Sequence, residues 1–102
     1  MSEKTIFKRI IDGEIPAEIL HEDEHCLAFR DISAQAPTHV LVIPKKEIPN
    51  LNAVSAEALN IAGHLIMAIQ KITRDLGVEQ SYRLISNCGE AAGQTVHHLH
   101  LH

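Results

Sequence analysis

The sequence predicts an α+β domain: a five-stranded antiparallel sheet with one short and one long helix. Three observations carry this expectation. Five short segments have strand character, two stretches have helical periodicity, and the helices interrupt a run of consecutive strands. At 102 residues there is room for one domain, residues 1–102, with no linker, repeat or low-complexity tract to divide it.

The first helix is expected over residues 5–12 (TIFKRIID), where Ile6, Phe7, Ile10 and Ile11 share a face. Thr5 is its N-cap and Gly13 its stop. Ile15-Pro16 leads out extended, because the residue before proline is pushed from the helical region. Strands follow at 18–21 and at 25–30 (HCLAFR), with His21-Glu22-Asp23-Glu24 as a polar turn. After the loop ISAQAPT comes a strong strand at 38–43 (THVLVI). Its Val40 to Ile43 run is apolar without alternation, which predicts a central strand covered on both faces. Pro44 and Pro49 bracket a connection in which no helix persists.

The long helix spans residues 55–76, capped by Ser55 and closed by Gly77. Leu59, Ala62, Ile66 and Ile69 form one apolar stripe, and Ile61, Leu65, Ala68 and Ile72 a second. That arc is wider than one sheet contact needs, so part of it is expected to meet a second subunit. Met67 reads as packing on that interface. Residues 81–87 (SYRLISN) and 95–102 complete the five strands, joined by the loop CGEAAGQ.

Composition narrows the function classes. Apolar residues at 45% and charged residues at 22% exclude a disordered or collagen-like chain. Nine Lys and Arg against 13 Asp and Glu leave −4 at pH 7, which argues against a nucleic-acid partner held by bulk positive charge. No apolar run approaches the ~20 residues of a membrane span or resembles a secretory signal. Cys26 and Cys88 cannot build a disulfide framework, so a reduced, cytoplasmic protein is the simplest expectation.

The chemistry begins at the C-terminal segment. Of eight histidines, His97, His98, His100 and His102 fall in the last six residues. Side chains alternate along a strand, so His98, His100 and His102 share one face while Leu99 and Leu101 anchor the other. Alternate Cα atoms lie roughly 6.5–7 Å apart, close enough for neighbouring imidazoles to share one substrate group. Such a row suits either a metal, which H-x-H presents well, or a phosphoryl group, attacked by a neutral imidazole. An affinity tag would not interleave leucines in this way. Gly93-Gln94-Thr95 just upstream favours phosphate, since glycine lets backbone N–H groups approach an anion and the other two add side-chain donors. Asp31 suits a vicinal diol, although from the residues alone an Asp that merely starts a turn is the favoured reading. His21, His25 and His64 read as ordinary surface residues, Lys45-Lys46 as a solvated run and Cys88 as a passive loop thiol.

The stretch GQTVHHLHLH resembles the signature of the histidine triad family, in which three histidines alternate with hydrophobic residues. TIFKRIIDGEIP at 5–16 and AFRDISAQAPTHVLVIPK at 28–45 are similar to its nucleotide-binding (Hint-type) branch. The resemblance covers nearly the whole chain and implies a dimeric α+β domain that hydrolyses purine nucleoside phosphoramidates without a metal or other cofactor. By position it implies His100 as the nucleophile, His102 as the contact to phosphate oxygen or leaving group, and His98 with His39 as the support of the nucleophile. Asp31 would accept from the ribose hydroxyls, and Ile6, Phe7, Phe29 and Ile32 would enclose the base. Asn87, Gly93, Gln94 and Thr95 would surround the phosphate and leaving group.

Two departures shape further expectations. His97 stands where the branch commonly has an aromatic residue, on the strand face opposite the triad. The family also continues beyond the third histidine with a tail that reaches toward the partner's site, and this sequence ends at His102. That ending predicts a frayed last strand, less than full activity, and a terminal carboxylate that raises the pKa of His102. Alternative readings are a non-catalytic nucleotide-binding or dimeric interaction module, a zinc-binding protein, and a dinucleoside polyphosphate hydrolase or nucleotidyl transferase of a related branch.

Overall fold

The computed structural model describes residues 4–102. Helix α1 (Ile6–Ile11) starts at Thr5, whose hydroxyl accepts from the Lys8 N–H at 3.1 Å, as the sequence predicts. Strands β1 (Ile19–Glu22), β2 (Cys26–Arg30) and β3 (Val40–Pro44) form an antiparallel sheet in the order β1-β2-β3. Helix α2 (Leu59–Asp75) follows two 3₁₀ turns, Leu51–Ala53 and Ala56–Ala58. A third 3₁₀ turn is Glu90–Ala92.

The sheet separates two apolar layers because β2 and β3 alternate their side chains across it. On one face Cys26, Ala28 and Val42 pack with Leu99 against the α2 residues Ile61, Leu65, Ala68, Ile69 and Ile72. On the other, Leu27, Phe29, Leu41 and Ile43 pack with Phe7 and Ile10 of α1. β3 is covered on both faces as expected, with Leu27 of β2 and its own Ile43 fully buried. It is nevertheless an edge and not a central strand of this sheet, met beyond, among the described residues, only by the single Val42–Leu101 bridge. Each such burial stabilises by about 1.5–3 kcal/mol.

Three expectations are corrected. The described residues form three strands, where five were expected. Residues 81–87 and 95–102 attach by single residue pairs, Leu101 with Val42 and His102 with Ile85. A ladder needs successive pairs, and two residues further back the Leu99 N–H has already left β3 for the Ile48 carbonyl at 2.6 Å. The end of the chain is nevertheless not frayed: Leu101 and His102 exchange backbone hydrogen bonds of 2.8–3.1 Å with Val42 and Ile85. Ser55 does not cap α2 with its side chain, because the tight first turn brings the Ala58 N–H to the Ser55 carbonyl at 3.0 Å instead.

Gly77 closes α2 as expected. Its φ of +73° turns the chain so that the Val78 N–H reaches back to the Thr73 carbonyl at 2.9 Å and the Gly77 N–H to Arg74 at 3.1 Å. This is the six-to-one and five-to-two pairing that satisfies the last carbonyls of a helix. The outer stripe of α2 is left uncovered, with Leu59, Ile66 and Met67 more than half exposed. Among the described residues no helix is long and apolar enough to cross a membrane.

Candidate active site

The segment entering the histidine row is braced before it begins. Gly93 adopts φ +95°, which a side-chain-bearing residue tolerates poorly, and ends the turn Glu90–Ala92. A Cβ there would lie 3.9 Å from Asn87 Nδ2, so these two expected site residues are neighbours. Gln94 is buried, and its side-chain amide is fully engaged by main chain. Its Oε1 accepts from the Gly89 N–H at 2.8 Å, while Nε2 donates to the carbonyls of Pro49 (2.7 Å) and Val96 (3.0 Å). The expectation that the Gln94 side chain offers donors to a phosphate is corrected: it braces the loop. Thr95 stays exposed.

From there the row alternates as predicted, with Leu99 on the α2 face of the sheet. His98 and His100 lie on the α1 face, their rings 6.2 Å and 5.0 Å from that of Phe7 in edge-on contact. The His98 Nε2–H donates to the Pro44 carbonyl at 2.8 Å. Burial holds the pKa of His98 below its ordinary 6.5, although the Pro44 carbonyl pulls the other way. The Nδ1–H of His100 donates to the His98 carbonyl at 2.7 Å. A carbonyl can only accept, so neutral His100 keeps its proton on Nδ1 and its free lone pair on Nε2.

His102 stands 5.0 Å from the His100 ring, nearly perpendicular to it. Its Nδ1 lies 2.8 Å from His39 Nε2, and Asp31 Oδ2 lies 3.5 Å from the same His39 atom. His39 was expected to support the nucleophile beside His98. It pairs with His102 instead, because β3 presents it next to the Leu101–His102 end of the row. Asp31 also accepts from the Ser33 N–H at 2.8 Å, so the turn-starting reading of this carboxylate holds alongside its place in the cluster. The pKa of His102 is lowered, not raised: burial comes first, then the charges His100 and His39 would carry, with Asp31 opposing. Asp31, His39 and His102 bring ligand-type atoms within 4.8 Å of one another, the one such group among the described residues.

A family model described as "HIT domain" matches residues 12–102. The chain belongs to the HIT family. It is 52% identical to an uncharacterized HIT-like protein of Synechococcus elongatus, over 100% of this chain and 90% of that protein. It is 48% identical to the purine nucleoside phosphoramidase of Escherichia coli K12, over 100% of this chain and 87% of the enzyme. A HIT family hydrolase from Clostridium thermocellum superposes with a TM-score of 0.95 at 46% identity, covering 100% of this chain and 90% of that one. The HIT fold, an α+β domain with one long helix, thus accounts for the architecture described above.

Within this HIT domain the apolar residues expected around a base divide into two kinds. Phe7 and Phe29 are buried against each other, their rings 5.7 Å apart, and Phe7 is the ring that meets His98 and His100. Ile6 is half exposed, and Ile32 is 98% exposed, an unusual position for a free isoleucine. A cavity of about 340 Å³ lies elsewhere, between β3, the end of α2 and residues 81–85. Its walls include Val42, Ile69, Ile72 and Leu84, and it meets the histidine cluster at His39 and, of the triad, only at His102. Apolar residues make up most of these walls, and Gln35 and Arg83 are among the polar residues that line the cavity.

Sequence reasoning missed the main-chain partners: the carbonyls of Pro44, His98 and Pro49, and the Gln35 N–H, which donates to His39 Nδ1 at 2.9 Å. Main-chain groups carry no residue-type signal, so only the fold reveals them. It also missed a stacked imidazole pair, His25 on His64 at 3.7 Å with planes 9° apart.

Proposed function

We propose that this HIT protein is a purine nucleoside phosphoramidate hydrolase, releasing a nucleoside monophosphate such as AMP and an amine through a covalent nucleotidyl-histidine on His100. The observation that carries the reading is the proton placement on His100: with Nδ1–H held by the His98 carbonyl, the Nε2 lone pair is free to attack phosphorus. Attack forms the P–Nε2 bond and breaks the substrate P–N bond, and the departing amine takes from solvent a proton that the later attack of water returns. Water then attacks the same phosphorus, the P–Nε2 bond breaks, and the monophosphate leaves with His100 neutral again.

In this reading His98 fixes His100 from below through its own carbonyl, and Phe7 limits the ring's rotation. His102 and His39 face the phosphoryl oxygens or leaving group, and Asp31 accepts from ribose hydroxyls. Exposed Ile32 and half-exposed Ile6 supply apolar surface to a purine, and Asn87, Gly93 and Thr95 border the phosphate. The likeness to the E. coli phosphoramidase supports the P–N substrate class. The uncovered Leu59, Ile66 and Met67 stripe supports a homodimer through α2, and the two free thiols Cys26 and Cys88 support a reducing, cytoplasmic setting. The test is turnover of adenosine 5′-phosphoramidate followed by phosphorus NMR, with His100→Ala as control. AMP formed only when His100 is present supports the proposal, and AMP from both proteins overturns it.

A further inference from the structure

We propose that the main-chain N–H of Gln35 sets the proton arrangement of the outer half of the site, so that His102 presents an Nε2–H donor and the Asp31–His39–His102 group does not take a divalent cation. The catalytic meaning of this arrangement rests on the hydrolase reading; the arrangement itself does not.

A backbone N–H can only donate. The Gln35 N–H lies 2.9 Å from His39 Nδ1, so that nitrogen carries no proton and neutral His39 keeps its proton on Nε2. This Nε2–H meets His102 Nδ1 at 2.8 Å, closer than Asp31 Oδ2 at 3.5 Å. His102 Nδ1 therefore accepts, and the remaining proton of neutral His102 sits on Nε2. One backbone amide thus orders two imidazoles in sequence. The loop that carries it is tied to itself: the Asp31 N–H donates to the His39 carbonyl at 3.0 Å, and Gln35 Nε2 donates to the Ser33 carbonyl at 3.0 Å.

Two consequences follow. A histidine that ligates a metal donates its other ring N–H to an acceptor. Gln35 places a donor at that position, so His39 has no Nε2 lone pair for zinc, although its distances to Asp31 and His102 suit a metal. The chain of hydrogen bonds also ends at an amide that does not release its proton, so it orients His102 and does not feed protons to it. Gln35 and His39 are positioning residues on this account.

The test uses the full chain labelled with ¹⁵N, with imidazole tautomers read from long-range ¹H–¹⁵N correlations above pH 7. Both His39 and His102 are expected as the Nε2–H form; an Nδ1–H form at His39 overturns the proposal. Zinc titration by calorimetry supplies the second arm. Wild type and Gln35→Ala, which keeps the N–H, are expected to bind zinc equally weakly. Gln35→Pro, which lacks it, is expected to bind roughly tenfold tighter or more, the scale of a second-shell effect. Equal affinity in a folded Gln35→Pro protein overturns the proposal. Should that variant not fold, His39→Ala decides: wild-type zinc affinity is expected to survive it, and its loss overturns the proposal. Neither arm measures turnover, so failure here is distinguishable from failure of the hydrolase reading.

Discussion

The Nδ1 of His100 lies 2.7 Å from the carbonyl oxygen of His98, two residues earlier on the same segment. The tautomer of neutral His100 is therefore written into its own backbone. On the proposed mechanism, His100→Ala removes the attacking nitrogen but no main-chain support, so phosphoramidate turnover is expected to fall by more than about 10³-fold. AMP binding, followed by calorimetry, is expected to change little.

Phe7 is the packing link between the core and the triad, edge-on to Phe29 and to His100. Phe7→Ala is expected to destabilise the domain by about 3–5 kcal/mol in urea denaturation. Phe7→Leu keeps most of the volume and is expected to cost under about 1.5 kcal/mol. Turnover in that variant is expected to drop through kcat more than KM, because His100 loses its ring contact while the substrate keeps its own.

Buried His98 makes stability depend on pH. Its folded pKa lies below the ordinary 6.5, so the unfolded chain binds this proton at higher pH than the folded one. Stability is therefore complete above about 6.5 and falls as the pH drops below it, by at most about 1.4 kcal/mol per pH unit for one group. His102 acts with the same sign. Urea midpoints between pH 7 and pH 5 are expected to decline, and His98→Asn is expected to flatten that decline.

Asp23 acts in a separate window. Burial pushes its carboxyl up, but hydrogen bonds from His21 and from the His25 and Cys26 amides outweigh this and hold it at about 2. Its contribution is present above 3.8 and is lost as the pH falls toward 2. Acid unfolding monitored by circular dichroism is expected to shift to higher pH in Asp23→Ala.

The exposed stripe on α2 tests the proposed homodimer. Ile66 is 53% exposed, so Ile66→Asp is expected to leave the monomer fold unchanged by circular dichroism. Light scattering is expected to move from dimer mass to monomer mass; an unchanged dimer would place the interface elsewhere.

Much of this architecture is legible in residue order. Thr5 and Gly77 announce helix ends through local chemistry, and the Val40 to Ile43 run announces a strand covered twice. The alternation of Leu99 with His98 and His100 sorts the two faces correctly. What escaped has a common cause: the missing information lies in main-chain partners distant in sequence. Residues 81–87 look like a strand, yet Tyr82 and Leu84 remain exposed, and the link to the C-terminal segment is the single Ile85–His102 pair. Gln94 looks like a ligand residue because amides bind phosphates, and only the approach of Pro49 and Gly89 turns it inward. His39 was placed in the site by resemblance, but its partner was decided by register.

The pairing of His39 with His102 spans 63 residues of chain. Closing a loop of that length carries an entropic cost of roughly 4 kcal/mol beyond a constant, and it is met only after the intervening helix and sheet have compacted. A ribosome delivers His39 long before His102. The outer half of the site therefore cannot form until His102 has been made and the domain has closed around it.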